Sequence, residues 1–212
     1  MKKILVLVAI KFLLLLGISY FVKSHFTSIN NFSFPDELTS YGAPNFMAAF
    51  ANFDGIHYIK IARGEYYEFS QVFFPFFPLL IMLGSQVISS HLVTGLLISN
   101  VCFTLGLYFL LKLLEDLKFK ERWWVIFFIA TFPTSFFFQT IYTESLFFMF
   151  TMIFFYSLKR NKMYTAAIVG FFASLTRFIG FFLIVPLLIH LAVNKKNKPR
   201  DYLIGLLPGL GC

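Results

Sequence analysis

The stretch ILVLVAIKFLLLLGISYFV, residues 4–22, decides the fold, because a single charge, Lys11, interrupts its apolar side chains. About 20 predominantly apolar residues suffice for a helix to cross the hydrocarbon core of a bilayer. Lys2 and Lys3 precede the stretch and no small-residue cleavage site follows it, which favours a retained signal-anchor helix over residues 1–22. Lys11 then either extends its stem towards the interface or faces neighbouring helices.

The rest of the chain repeats this apolar pattern. Of its 212 residues, 58% are hydrophobic and 13% are charged, which is too apolar for a soluble domain. We split the longest apolar run, 164–193, at Arg177. We also expect Pro133 to kink the run 123–141, because proline removes a backbone donor. The sequence therefore predicts an all-α fold, a polytopic bundle of transmembrane helices. Its further apolar runs cover 74–91, 93–111, 123–141, 145–158 and 164–193.

The basic residues of the chain predict its orientation. The net charge is +8, but most lysines and arginines lie in short loops between apolar runs, as in cytoplasmic loops. We therefore expect contact with membrane lipids and not with nucleic acid. If 74–91 is a re-entrant or interfacial helix packed on protein, the main basic segments all fall on the inner side. These segments are 112–122, 159–162 and 195–200.

This orientation divides the chain into three parts. Residues 1–22 form the anchor, residues 23–91 an outer or lumenal segment, and residues 92–212 the remaining transmembrane helices. An apolar run that begins near Tyr202 is too short to cross the membrane, so we expect the sequence to be a fragment of a longer protein.

The same orientation brings three charged positions to the outer face: Asp54, Glu144 and Arg177. Each has a structural alternative. Asp54 can cap a helix start, and Glu144 can be favoured by a helix dipole with Thr143 as the cap. Arg177 stands inside an apolar run, where a charge costs about 2.5–3.5 kcal/mol. It either meets an anionic substrate group, such as a phosphate, or forms an ion pair with Glu144 or Asp54.

A short helix is predicted after Asp54, over residues 55–62. It ends at Arg63 and Gly64, with glycine in its usual C-terminal position. His57 and Tyr58 lie three and four residues after Asp54, so they share its helix face. Asp54 and Glu144 are the two carboxylates of this candidate outer-face site. The predicted substrate-binding residues are His57, Tyr58, Arg63, Tyr142 and Arg177.

Three blocks of the sequence resemble the GPI mannosyltransferase 2 (PIG-V) family. FDGIHYIKIARGEYYEFSQVFFPFFPLL, residues 53–80, is similar to the family's outer-loop signature. FPTSFFFQTIYTESLFF, residues 132–148, and ASLTRFIG, residues 173–180, are similar to its second and third blocks. The blocks follow the family's order. One departure is Phe53, where the family usually has tryptophan.

The resemblance implies a GT-C fold and an integral membrane glycosyltransferase. Such an enzyme moves mannose from a polyprenyl (dolichyl) phosphate donor to a lipid-linked acceptor on the outer or lumenal face, with inversion at the sugar. Asp54 matches the family's first-loop acidic residue, and the resemblance implies that Asp54 and Glu144 are the catalytic residues. The donor is a lipid-linked substrate, so no cofactor is expected, and Cys102 and Cys212 show no metal or disulfide spacing.

Several alternatives stay open at this point. The protein can be a GT-C transferase of another sugar, a transporter or lipid flippase, or an assembly subunit without chemistry. Phe74, Phe76 and Phe77 either line the prenyl chain or anchor the segment at the interface. The membrane is expected to be the plasma membrane in a prokaryote and the endoplasmic reticulum in a eukaryote. The acceptor would resemble a GPI precursor in a eukaryote and be another glycan in a prokaryote.

Overall fold

The computed structural model describes residues 1–26, 35–41, 44–68, 70–193 and 199–211. These residues form helices and turns without a strand, which confirms the predicted all-α bundle. The α-helices are α1 (Lys2–His25), α2 (Pro35–Ser40), α3 (Asp54–Ala62), α4 (Phe76–Ile88), α5 (His91–Asp116), α6 (Arg122–Thr131), α7 (Glu144–Lys159), α8 (Met163–Ser174), α9 (Ile184–Val193) and α10 (Pro199–Gly205). Short 3-10 helices cover Asn45–Ala51, Ser70–Val72, Pro133–Gln139, Phe178–Leu183 and Leu207–Gly211.

Two of the described helices, α1 and α5, are long and apolar enough to cross a membrane. A third crossing is possible if the 3-10 helix Pro133–Gln139 and α7 count as one span, bent by 91°. Helix α4 has 13 residues and is about 20 Å long at 1.5 Å per residue, less than the ~30 Å hydrocarbon core. This length is compatible with the predicted re-entrant or interfacial helix. The division of the chain into inner and outer parts stays a prediction.

Helix α1 exposes apolar side chains around most of its circumference. Only Ile4 and Val8 are buried, whereas Leu13 and Leu14 are 66% and 61% exposed. A helix with this surface is stable when lipid surrounds it, since lipid tails are as apolar as leucine.

Helix α5 lies at the centre of the bundle. It packs most extensively against α7 and also contacts α1, α4 and α6. Its buried face includes Gly95, Ser99 and Gly106, small residues that allow close approach. A Cβ on Gly106 would lie 2.5 Å from the Phe148 ring of α7, and one on Gly95 would lie 3.2 Å from the Ile141 side chain. These glycines therefore set the distance between α5 and the chain around α7.

Pro133 has a larger effect than the kink that the sequence predicts. Helix α6 ends at Thr131, and a 3-10 helix follows in place of the second half of the expected 123–141 helix. Lys11 donates to the backbone oxygen and to Oγ of Ser135, both at 2.7 Å. Gln139, which is fully buried, donates to the Val8 oxygen at 2.9 Å and to Asn100 Oδ1 at 2.8 Å. Lys11 thus faces the protein interior and binds the 3-10 helix that follows the proline.

The predicted orientation can be tested by labelling single cysteines with an impermeant reagent. We expect a cysteine at Tyr66, which is 71% exposed, to react from the outside. Cysteines at Lys120 and Asn161, both in exposed turns, should react only after the membrane is permeabilised. The parent protein should lack Cys102 and Cys212. Reaction of position 120 from the outside would contradict the predicted orientation.

Candidate active site

Asp54 is the first residue of α3, at the end of a sharp change in chain direction. Phe53 precedes it with φ of 53°, a left-handed conformation that is rare for a bulky side chain. The interpretation of Asp54 as the helix cap is wrong: Phe53 occupies the cap position, and no side chain caps the helix. As the first helical residue, Asp54 benefits from the helix dipole, which favours a negative charge there.

Backbone contacts join the chain before Asp54 to the corner that carries Tyr142. The Ile141 N–H donates to the Phe50 oxygen at 2.8 Å, and the Tyr142 hydroxyl donates to the Asn52 oxygen at 2.9 Å. Gly55 completes this contact, because a Cβ there would lie 3.1 Å from the Ile141 oxygen. These contacts bring the first and second sequence blocks together.

A second set of backbone contacts adds the third block. The Phe76 N–H donates to the Leu175 oxygen at 3.4 Å, which joins the start of α4 to the end of α8. The chain then turns sharply through Arg177, and the Gly180 N–H donates to the Arg177 oxygen at 2.8 Å. A Cβ on Gly180 would lie 2.5 Å from the Ser174 nitrogen and 2.6 Å from the Ala173 carbonyl carbon. Glycine is required here because the turn packs directly on the backbone of α8.

The three blocks enclose one cavity of about 330 Å³, which we call the Asp54 cavity. Five of the seven predicted site residues line it, together with aromatic side chains and two threonines. The lining residues are Asp54, Tyr58, Val72, Phe73, Phe74, Tyr142, Thr143, Glu144, Thr176, Arg177 and Phe178.

Arg177 and Glu144 form an ion pair in this cavity. Arg177 Nη1 lies 2.6 Å from Glu144 Oε1 and donates to Thr143 Oγ1 at 3.2 Å. The sequence allowed either Glu144 or Asp54 as the ion-pair partner of Arg177, and in the structure the partner is Glu144. Nε and Nη2 of Arg177 make no hydrogen bond with any described residue. The guanidinium is anchored through one nitrogen and retains donors for an anion.

The Asp54 carboxylate has no such partner. Within the described chain it makes no side-chain hydrogen bond or ion pair, and Asp54 is exposed to the cavity. Tyr58, on the same helix, contacts the Thr143 side chain, and burial raises the Tyr58 pKa to about 12. The tyrosine therefore stays protonated at neutral pH and can serve as a hydrogen-bond donor.

His57 and Arg63 lie outside this cavity. The Tyr67 hydroxyl and His57 Nδ1 form a short hydrogen bond, and burial followed by the charge of Lys60 lowers the His57 pKa. Arg63 Nε lies 2.6 Å from Glu65 Oε1 at the opposite end of α3. The structure therefore places neither residue in the Asp54 cavity, although His57 follows Asp54 by one turn on the exposed side of α3.

Several lining residues were not predicted from the sequence. Thr143 was expected to cap α7, but its side chain makes no cap hydrogen bond and accepts from Arg177. Thr176 and Phe73 also line the cavity. The only sequence feature that could have indicated them is their position next to selected residues. Thr176 precedes Arg177 in the third block, and Phe73 precedes Phe74 in the first.

The aromatic residues of the first block have different environments. Phe74 lines the Asp54 cavity, whereas Phe77 is fully buried in the core. Phe77 is therefore neither a prenyl contact nor an interfacial anchor. Phe76 is partly buried and packs against Phe150 and Phe172, with ring centroids 6.0 and 5.0 Å away.

The described residues include no cluster of three His, Cys, Asp or Glu side chains that could hold a metal ion.

The fold and cavity describe a helical membrane protein with a carboxylate and an anchored guanidinium in one polar cavity. Comparison with known protein families identifies the family to which it belongs. The family described as Mannosyltransferase (PIG-V) matches residues 2–195, nearly the whole chain. The protein belongs to this mannosyltransferase family, which confirms the resemblance noted in the three blocks. No curated protein and no solved structure was found to match the chain.

Family membership makes the protein a glycosyltransferase with mannosyltransferase activity. It implies a sugar donor and a lipid-linked acceptor. The apolar helices and the family together indicate a membrane protein. An enzyme family gives no support to the transporter and assembly-subunit alternatives.

The contact between Gly180 and α8 leads to a testable prediction. Gly180→Ala should lower the stability of the protein by about 1–3 kcal/mol, because the added carbon must displace backbone. It should also reduce mannose transfer, since Arg177 begins the displaced turn. Thermal unfolding in detergent and a transfer assay measure the two effects.

Gly17→Ala is the matched control, because a Cβ there has no atom within 4 Å. We expect it to leave transfer unchanged and not to lower stability, since alanine is favoured over glycine within a helix such as α1. Equal behaviour of the two variants would show that the Gly180 contact does not constrain the site.

Proposed function

We propose that the protein transfers mannose from a polyprenyl (dolichyl) phosphate to a lipid-linked acceptor, with inversion, in the Asp54 cavity. One observation carries the proposal: a carboxylate with no partner among the described residues and an anchored guanidinium line a single cavity beside aromatic side chains. Such a transferase needs a base for the acceptor and a cation for the departing phosphate. It needs no nucleotide-binding loop, because its donor is a lipid.

Asp54 is the general base in this proposal. It removes the proton from an acceptor hydroxyl as the hydroxyl oxygen attacks the anomeric carbon of mannose. The bond between that carbon and the phosphate oxygen breaks, and its electron pair leaves with the polyprenyl phosphate. Attack from the face opposite the phosphate inverts the configuration of the sugar. The position of Asp54 at the start of α3 directs its carboxylate into the cavity where the acceptor hydroxyl would lie.

Arg177 binds the donor phosphate. Nε and Nη2 are available to phosphate oxygens, while Nη1 stays on Glu144 and Thr143. The added charge of the leaving phosphate strengthens these contacts as the bond breaks. Glu144 was predicted as catalytic, and its ion pair supports a role in positioning Arg177.

Aromatic side chains support the place of the donor. Phe73, Phe74 and Phe178 line the cavity around these polar groups. They would contact the apolar face of the sugar and the first prenyl units. The proposed orientation puts the cavity at the outer or lumenal face of a multi-pass protein. The membrane would be the plasma membrane in a prokaryote and the endoplasmic reticulum in a eukaryote.

The proposal is tested by incubating membranes that contain the protein with polyprenyl phosphate mannose labelled in the sugar. We expect a labelled lipid-extractable product whose new linkage has the anomeric configuration opposite to that of the donor. Membranes with the Asp54→Asn variant are the control. A product with retained configuration, or transfer only from a nucleotide sugar, would overturn the proposal.

A further inference from the structure

Helix α3 has one polar edge. Asp54, His57, Lys60 and Arg63, which caps the helix, follow every third position and are the residues of this segment that are not buried. The intervening residues all pack into the core. These buried residues are Gly55, Ile56, Tyr58, Ile59, Ile61 and Ala62. The four polar residues form a polar ridge that winds about half a turn around α3 from the Asp54 cavity to Arg63, because α-helical residues advance by about 100° each.

A second cavity, of about 380 Å³, lies at the Arg63 end of this ridge. We call it the Arg63 cavity. No carboxylate is among its described lining residues, whereas a guanidinium, an imidazole, a phenol and two hydroxyls are. These polar residues are Arg63, His91, Tyr41, Ser89 and Ser90.

The groups around Arg63 leave one side of its guanidinium available to a ligand. Nε binds Glu65 Oε1, and the guanidinium lies 4.2 Å from the centre of the Tyr41 ring. Both neighbouring carboxylates are already engaged: the Tyr41 hydroxyl contacts Glu65 at 2.9 Å and Glu37 at 3.0 Å, and Lys60 pairs with Glu37 at 2.7 Å. Nη1 and Nη2 of Arg63 make no hydrogen bond with any residue the structure describes. Two parallel donors in this arrangement fit a phosphate oxygen pair.

We propose that the Arg63 cavity binds the phosphate group through which the acceptor glycan is attached to its lipid. The glycan would lie along the polar ridge and present its reacting hydroxyl to Asp54. Helix α3 has nine residues, so its two ends are separated by about 13 Å, a span suited to a short glycan. This inference rests on the proposed function and assigns the acceptor its own subsite.

The donor phosphate does not fit the Arg63 cavity. Its bond to mannose breaks at the carbon that the acceptor hydroxyl attacks, so it must lie beside Asp54, where Arg177 is. A second anion at the far end of α3 therefore belongs to the other substrate. Separate arginines for the two lipid phosphates explain why the sequence places Arg63 and Arg177 in different blocks.

The kinetic test compares Arg63→Gln with the wild type while each substrate is varied in turn. We expect the KM for the lipid-linked acceptor to rise about 10- to 100-fold, the value of charge-assisted hydrogen bonds to one phosphate. The KM for polyprenyl phosphate mannose should stay unchanged. A rise in the donor KM, or unchanged values for both substrates, would overturn the proposal.

Glu65→Gln is the matched control for the ion pair. It removes the charge opposite Nε but leaves the cavity side of Arg63 intact. We expect an acceptor KM near that of the wild type. If Glu65→Gln raises the acceptor KM as much as Arg63→Gln, the ion pair has only a structural role and the proposal fails.

A binding measurement separates this proposal from the proposed function. The protein in dodecyl maltoside, a detergent without phosphate, is titrated with headgroup-labelled dioctanoyl phosphatidylglycerol, a lipid-borne phosphodiester, and with inorganic phosphate. We expect the labelled lipid to bind the wild type and to lose about 10-fold or more in affinity with Arg63→Gln. Retained binding in that variant, or equal competition by inorganic phosphate, overturns the lipid-phosphate subsite. Normal Arg63-dependent binding without any mannose transfer would instead contradict the proposed function alone.

Discussion

Asp54→Asn is expected to lower kcat for mannose transfer by about 10²–10⁴, the usual contribution of a general base. Asparagine has nearly the same shape but cannot accept a proton from the acceptor hydroxyl. The carboxylate caps no helix and pairs with no described residue, so the free energy of unfolding should change by no more than about 0.5 kcal/mol. Turnover at matched expression and thermal unfolding measure the two quantities. Turnover near that of the wild type would remove Asp54 from the mechanism.

Glu144→Gln serves as the comparison for the two carboxylates. Glutamine retains an oxygen that can accept from Arg177 Nη1, so a positioning role predicts a much smaller loss than Asp54→Asn. If Glu144→Gln instead shows the larger loss in kcat, Glu144 is the base and the roles of the two carboxylates must be exchanged.

Arg177→Lys is expected to raise the KM for the polyprenyl phosphate donor about 10- to 100-fold. Lysine keeps the positive charge and can still pair with Glu144. It lacks the planar fork that holds Glu144 through Nη1 and a phosphate through the remaining donors. Steady-state kinetics with varied donor check this, and the acceptor KM should stay within about 2-fold, since the two cavities are separate.

A double variant distinguishes substrate binding from a purely structural pair. Removing one partner of a partly buried pair leaves the other charge uncompensated, so Arg177→Ala should destabilise the protein. If Arg177→Ala combined with Glu144→Ala restores stability and also restores transfer, Arg177 serves only the ion pair. Restored stability without transfer supports the phosphate role.

Much of the fold and part of the site could be predicted from the sequence. Apolar runs and the positions of Lys and Arg predicted the all-α bundle, and the break near Arg177 lies where the charge interrupts the run. Counting membrane crossings predicted that Asp54, Tyr142, Glu144 and Arg177 lie on the same side of the membrane. The structure places these four residues around one cavity. These features follow from composition and spacing alone.

The remaining features of the site and the fold depend on contacts between distant residues, which the spacing of residues along the sequence does not show. Helical periodicity placed both His57 and Tyr58 on the face of Asp54, but only the buried Tyr58 lines the Asp54 cavity, while His57 lies on the exposed side of α3 outside it. Arg63 could not be assigned to its own cavity, because Tyr41 and His91 come from distant segments, the turn after α2 and the start of α5. The second half of the expected 123–141 helix is a 3-10 helix, held by the distant residues Lys11, Val8 and Asn100.

The backbone contacts between the three blocks also have a consequence for biosynthesis. Asp54 is made early, and Arg177 is made more than a hundred residues later, after the helices between them. Since chains fold from the N-terminus as they leave the ribosome, the nascent protein carries the carboxylate long before the guanidinium reaches it. The Ile141–Phe50 and Phe76–Leu175 contacts then close the cavity in turn. We therefore expect a chain that stalls or inserts incompletely to lack the complete cavity and to transfer no mannose.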